Sequence, residues 1–173
     1  KTSVIGDGNI FYVQLFTFTE SSVTLFQEAL QEFIKTDATK ILIDLRGNPG
    51  GYLESAREIA SWFLPSGKVV VTEKNINGET VHRSKGYDVF NENIKIAILV
   101  DGGSASASEI LAGALQDYKK ATIIGTKTFG KGSVQELLPI TGDTSLKITV
   151  AQWLTPNGKS ISDGGLTPDI VVE

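Results

Sequence analysis

Three short apolar runs, each passing straight into a loop of glycine and small residues, constrain this chain more than any other feature. Residues 40–45 (KILIDL), 94–100 (IKIAILV) and 121–124 (ATII) are nearly continuous in their apolar character, so they read as strands buried on both faces. Strands of that kind belong to a sheet covered by helices. Helical periods follow two of them directly. Residues 53–64 (LESAREIASWFL) put Leu53, Ala56, Ile59, Ala60 and Phe63 on one face, and Pro65 and Gly67 stop the run. Residues 106–118 form a second amphipathic helix. A third precedes both, over residues 21–35, with Val23, Phe26, Leu30, Phe33 and Ile34 in phase and residues 19–22 as candidate caps.

The remaining segments fill in the order. Residues 9–16 (NIFYVQLF) alternate and are rich in aromatic and β-branched side chains, which predicts a strand entered from a turn at Gly6 and Gly8. Residues 68–73, 133–140 and 145–154 are further strands, the last two joined by Thr141-Gly142-Asp143. Residues 74–93 are polar and carry Asn77-Gly78, a hairpin signal. Strand and helix therefore alternate through most of the chain. The expectation is an α/β fold with a largely parallel central sheet flanked by helices, in a single domain over residues 1–173.

Composition excludes several functions. A net charge of −4 without basic runs gives no footprint for nucleic acid. The absence of cysteine removes disulfides and thiolate metal sites. No apolar run approaches the roughly 20 residues of a membrane span, and no signal peptide is visible. There is no methionine, even at position 1, so the chain reads as a piece of a longer protein.

In an α/β sheet, ligands collect beyond the C-terminal ends of the strands. Three loops leave such ends: residues 46–52 (RGNPGGY), 101–106 (DGGSAS) and 125–132 (GTKTFGKG). The lone histidine, His82, lies in the polar 74–93 segment with no site-like neighbours and no companion ligands, so neither a Ser-His-Asp triad nor a metal site is expected. A serine-lysine pair suits the loops better. Ser106 stands where helix 106–118 begins, and the free N–H groups there favour an alkoxide and an adjacent oxyanion. Lys131 must be neutral to act as a base. That requires burial in apolar surroundings, for which Phe129 offers a wall. Residues 125–131 also match the first seven positions of a phosphate-binding loop, but Gly132 replaces the magnesium-binding hydroxyl and a strand follows instead of a helix.

The runs GSASASEI (103–110), TFGKGSVQ (128–135), DLRGNPGG (44–51), ALQDY (114–118), LTPNG (154–158) and GGLTPDI (164–170) resemble the C-terminal processing peptidases, or tail-specific proteases, of the S41 serine peptidases. The resemblance implies a crotonase-like, ClpP-like core and a serine endopeptidase that cuts protein substrates near their C-termini through an acyl-enzyme. It implies Ser106 as nucleophile, Lys131 as general base and Gln135 as the residue orienting the lysine. The oxyanion hole is expected from the N–H of Ala107 and of Gly50 or Gly51. Asp117 matches an acidic position that supports the structure, and Arg46 a loop anchor. Ser104 and Ser108 are expected as turn and helix-start hydroxyls, and Glu109 as a first-turn acid favoured by the helix dipole. No metal, nucleotide or coenzyme is implied. Members usually carry a PDZ domain in cis, absent from these residues, and work outside the bacterial cytoplasm. Two other functions stay open: a dormant peptide-binding core that needs a PDZ domain or partner for activation, and acyl-CoA chemistry, which the same fold hosts.

Overall fold

The apolar runs become adjacent strands in a computed structural model of the chain, which describes residues 1–90, 93–162 and 164–172. β1 (Thr2–Ile5) and β2 (Ile10–Gln14) form a hairpin through the Gly6–Gly8 turn. α1 (Glu20–Phe33), β3 (Lys40–Asp44), α2 (Leu53–Ala60), β4 (Val69–Asn75), β5 (Gly78–Arg83), β6 (Lys95–Val100), α3 (Ala107–Asp117), β7 (Thr122–Gly125), β8 (Ser133–Thr141), β9 (Thr144–Leu154) and β10 (Ile170–Val171) follow. One sheet has six strands in the order β1-β2-β3-β6-β7-β10, parallel from β2 onward. Val13, Ile43, Ile98 and Ile123 are successive register partners across it, and all four are buried. That row is the sheet's contribution to the core. Phe26, Phe63, Ile59, Leu111 and Leu115 of the helical layer complete it.

Two features depart from the sequence expectation. β4, β5, β8 and β9 do not join the parallel sheet. β5-β4-β9-β8 form a second, antiparallel sheet, because hairpin partners close locally and β4 then pairs with the distant β9, from Thr72 with Leu154 to Asn75 with Ala151. The helix expected over residues 53–64 ends at Ala60. There the Ser61 hydroxyl takes the Arg57 carbonyl at 2.8 Å, and Trp62 and Phe63 bond three residues back. Such back-bonding tightens and ends a helix. Of the polar 74–93 segment, residues 91 and 92 lie outside the described residues. Among the described residues no helix is long and apolar enough to cross a membrane.

β3, β6 and β7 are adjacent, parallel and level at their ends: Asp44 pairs with Leu99, and Val100 with Gly125. Their three following loops therefore emerge side by side.

Candidate active site

The loops are stitched to one another by named hydrogen bonds. Ala105 N–H and the Ser108 hydroxyl both donate to the Asn48 carbonyl at 3.0 Å. The Ser104 hydroxyl donates to the Leu45 carbonyl at 2.8 Å, and Gly47 N–H to Asp101 Oδ1 at 2.8 Å. On the other side, Phe129 N–H donates to the Ser104 carbonyl at 3.0 Å. Ser104 and Ser108 are thus engaged structurally, as expected of turn and helix-start hydroxyls.

Ser106 is held in an uncommon backbone conformation, φ 54° and ψ −115°. For a residue with a Cβ this costs about 1–3 kcal/mol and persists only where the surroundings impose it. Gly50 is part of that imposition. Its φ is +98°, and a Cβ there would stand 2.6 Å from the Ala105 carbonyl, 2.7 Å from Ser106 Cβ and 2.9 Å from Ala107 N. Only glycine lets the 46–52 loop come this close to the serine. Ala107, the first residue of α3, accordingly offers its N–H beside this loop. The Gly50 N–H is already donated to Asn48 Oδ1 at 2.9 Å. Gly50 carbonyl and Tyr52 N–H both face Phe18, so by strand alternation the Gly51 N–H points the opposite way.

The lysine loop is held by one carboxylate. Glu109, fully buried on the first turn of α3, accepts four hydrogen bonds. Oε2 takes Ser106 N–H and Lys131 N–H, each at 2.9 Å. Oε1 takes the Thr128 hydroxyl at 2.6 Å and Gly130 N–H at 2.7 Å. The main chains of Ser106 and Lys131 therefore meet at a single oxygen atom. Thr128 Oγ1 in turn accepts Leu166 N–H at 2.7 Å, tying in the GGLTPDI segment. The phosphate-loop alternative fails on the same geometry: the amides that would cradle a phosphate are already directed at Glu109, and a strand follows Lys131.

The lysine side chain departs from expectation. Lys131 is exposed, and Phe129 points outward at 66% exposure instead of forming a wall. The reason for the lysine is local: Gly130 packs on Gly164 and Gly165 and Gly132 on Ile161 and Ser162, leaving the one side chain between them directed to solvent. Gln135 lies in β8 and is exposed. Asp117 Oδ2 accepts Asn157 N–H at 2.8 Å, so it ties the end of α3 to the LTPNG run. Arg46 is anchored by buried Asp44 through Nε at 3.0 Å and a second nitrogen at 2.7 Å. Tyr12 donates to the same carboxylate at 2.6 Å. Burial pushes the Asp44 carboxyl up, but these donors together outweigh it and hold it below its ordinary value. His82 sits on β5 against Trp153, with Nε2 at 3.7 Å from Glu73, and belongs to none of the three loops.

Sequence reasoning undervalued two residues. Glu109 stands three residues after Ser106, the spacing of a capping box, which was the available signal. Asn48, fully buried, links its own loop to Leu15 (Nδ2 to carbonyl, 2.8 Å) and to residues 105 and 108. Nothing in its local sequence announces those distant partners.

Comparison with known proteins adds an independent finding. The model of the family described as Peptidase family S41 matches residues 9–172. The carboxy-terminal-processing protease of Bartonella bacilliformis is 43% identical over 171 residues, covering 96% of this chain and 39% of that protein. The carboxy-terminal processing protease CtpB of Bacillus subtilis is 37% identical over 171 residues, covering 95% and 34%. Among solved structures, the photosystem II D1 C-terminal processing protease superposes with a TM-score of 0.85 at 32% identity, covering 95% of this chain and 42% of that one. The chain thus spans well under half the length of each.

Proposed function

The chain belongs to peptidase family S41, and from that premise we propose that it carries the chemistry of a serine endopeptidase through a Ser106–Lys131 dyad. Lys131 Nζ takes the proton of Ser106 Oγ as the oxygen attacks the scissile carbonyl. The oxyanion is held by the N–H groups of Ala107 and Gly51, since Gly50 has given its own to Asn48. Collapse of the tetrahedral species expels the amine, which receives the proton from Lys131. An acyl-enzyme on Ser106 remains. Water, deprotonated by the same lysine, then releases the acid. Gln135 orients Lys131 during these steps, and Asp117 supports the helix from a distance.

The observation carrying this reading is the shared Glu109 oxygen, which joins the two residues' main chains across 25 positions of sequence. The strained Ser106 backbone adds to it. The substrates are protein chains cut near their C-termini. In the whole protein a PDZ domain in cis presents them, outside the cytoplasm of a bacterium. Substituting Ser106→Ala and Lys131→Ala in the full-length parent lowers peptide hydrolysis at least about 10³-fold each. Near-parental turnover in either variant sinks the dyad.

The exposure of Lys131 favours a second reading for the isolated chain. In that reading the isolated chain, with the Lys131 side chain open to solvent, is a resting core that binds peptide until a substrate, PDZ domain or partner covers the base. Hydrolysis by the isolated chain at the parent's rate removes this second reading.

A further inference from the structure

The ends of the parallel strands opposite the three loops carry a second concavity. A cavity of about 780 Å³ lies at the starts of β6 and β7, within the size range of small-molecule sites. Phe90, Ile94 and buried Ile96 supply its apolar lining, and Lys95, Lys119 and Lys120 its charged one. Among the described residues lining it the one acid is Asp169. Its two oxygens are taken by Ile123 N–H at 2.8 Å and Gln116 Nε2 at 3.0 Å. Lys68 adds a further cation, with Nζ 5.3 Å from the centre of the Tyr118 ring, which also lines the cavity. Positive charge therefore collects here in a chain whose net charge is −4.

Folding does not call for these lysines. Lys40 and Lys95 are register partners at the starts of β3 and β6. Lys119 and Lys120 precede β7, whose Thr122 pairs with Ala97. Like charges set side by side on neighbouring strands repel. The end of α3 is closed by backbone alone: the Leu115 carbonyl accepts Lys120 and Ala121 N–H, and the Gln116 carbonyl accepts Lys119 N–H. No ammonium is needed as a cap. Lys119 also takes φ 55°, where glycine or asparagine is the usual helix-ending residue. Lys120 reaches Asp88 at 3.4 Å, a partly exposed ion pair of the kind that contributes little. A bound anion relieves this crowding of cations.

On one flank the cavity adjoins an apolar groove of about 280 Å³, the two sharing Phe90 and Ile94. Leu30, Ile34, Trp62 and Val89 line the groove, and Ile34 and Val89 stand 75% and 55% exposed. Apart from the amides of Gln27 and Gln31, its described lining is aliphatic and aromatic. A peptide laid there would bury backbone amides without partners, whereas an acyl chain has none to bury. The concave shape takes one molecule, while a bilayer is met by a face that sinks into the headgroups.

We propose that the cavity and groove together bind a single anionic amphiphile. Its carboxylate or phosphate head rests on Lys95, Lys119 and Lys120, and its acyl chain runs over Phe90 and Ile94 into the groove. The site is separate from the candidate active site, because α3 lies between them with Ser106 at its start and Tyr118 at its end. It stands independently of the peptidase reading.

The test is calorimetric titration of the full-length parent with palmitate below its micelle-forming concentration, together with cross-linking by a palmitate analogue that carries a diazirine on its chain. Palmitate is expected to bind, and cross-links to fall on the groove residues Ile34, Trp62 and Val89. Hexadecanol, with the same chain and no charge, binds at least about tenfold more weakly, and acetate, with the charge and no chain, does not bind. The double substitution Lys119→Gln with Lys120→Gln weakens palmitate binding about tenfold, and Val89→Asp on the exposed groove wall does the same. Lys74→Gln with Lys147→Gln, an equal charge change on the second sheet, leaves it unaltered. The hexadecanol comparison needs no variant, so it decides the matter even where a substitution disturbs folding. Absence of palmitate binding, equal affinity for hexadecanol, or cross-links confined to other residues overturns the proposal. So does co-sedimentation with phosphatidylglycerol vesicles, lost in the Lys119→Gln and Lys120→Gln variant, by a protein that takes up no monomeric palmitate, which would give this face to a membrane surface.

Discussion

At the scale of single residues, the loops of the candidate site are held together by groups outside the proposed dyad. Glu109 is an acceptor for four donors on two segments, and a carboxylate is the one side chain of that length with lone pairs for all of them. Glu109→Gln keeps the shape but turns one acceptor into a donor facing N–H groups. The expected cost is about 3 kcal/mol, which for a chain of this size lowers the melting temperature by about 9 °C. Peptide hydrolysis falls in kcat more than it rises in KM, because the lysine loop loses its fixed distance from Ser106. An unchanged melting temperature would show that the carboxylate is not the clamp. Asn48 and Gly50 work from the opposite wall, one by bonding and one by leaving room. Ser106, Lys131, Ala107 and the glycines stood out in the sequence as runs of small residues and a helix start, and the roles proposed for them come from the resemblance that those runs carry. Burial was not legible: whether Lys131 is covered depends on what packs above it, and in this chain Phe129 turns outward and Lys131 is exposed.

At the scale of elements, α3 organises the molecule. Residues 107–115 are all buried, so it is an interior helix with its N-terminus at the site and its C-terminus tied down. The tie is Asp117 to Asn157 N–H. Asp117→Ala removes an acceptor from an exposed amide and lowers stability by about 1 kcal/mol, or about 3 °C in melting temperature, while Asp117→Asn retains most of it. Paired melts of the two variants check this, and equal losses would mean that the negative charge matters more than the hydrogen bond. Helix α1 and the strands at 40–44, 95–100 and 122–125 could be read within a residue or two, since their periods are carried by consecutive side chains. The early end of α2 could not, because it turns on a serine hydroxyl competing for one carbonyl.

For the molecule as a whole, the buried carboxylate behind the site predicts acid sensitivity. Burial raises the Asp44 carboxyl, but donors from Arg46 and Tyr12 lower it by more, leaving it below its ordinary value. Glu58 is shifted the same way, with burial outweighed by Lys85 and Tyr87. The unfolded chain then takes up protons first as pH falls through about 4. Stability is present above that pH and is lost as pH drops through the depressed folded value. Thermal melts from neutral pH to about pH 2 should fall steeply below pH 4 in the parent. In Asp44→Asn they start lower at neutral pH and decline less, and a parallel decline would remove Asp44 as a cause. By itself, the sequence determined the α/β class, a largely parallel central sheet and the three loops of small residues, because each rests on periodicity and turn chemistry within a short window. It also carried the family, through motifs spread along most of the chain. Only the tertiary structure decided that β4, β5, β8 and β9 form a separate sheet, that Glu109 and Asn48 bind the loops together, and that Lys131 stands uncovered. Those outcomes depend on pairings between residues far apart in the chain, and hydrogen-bonding partners at that range leave no periodic trace.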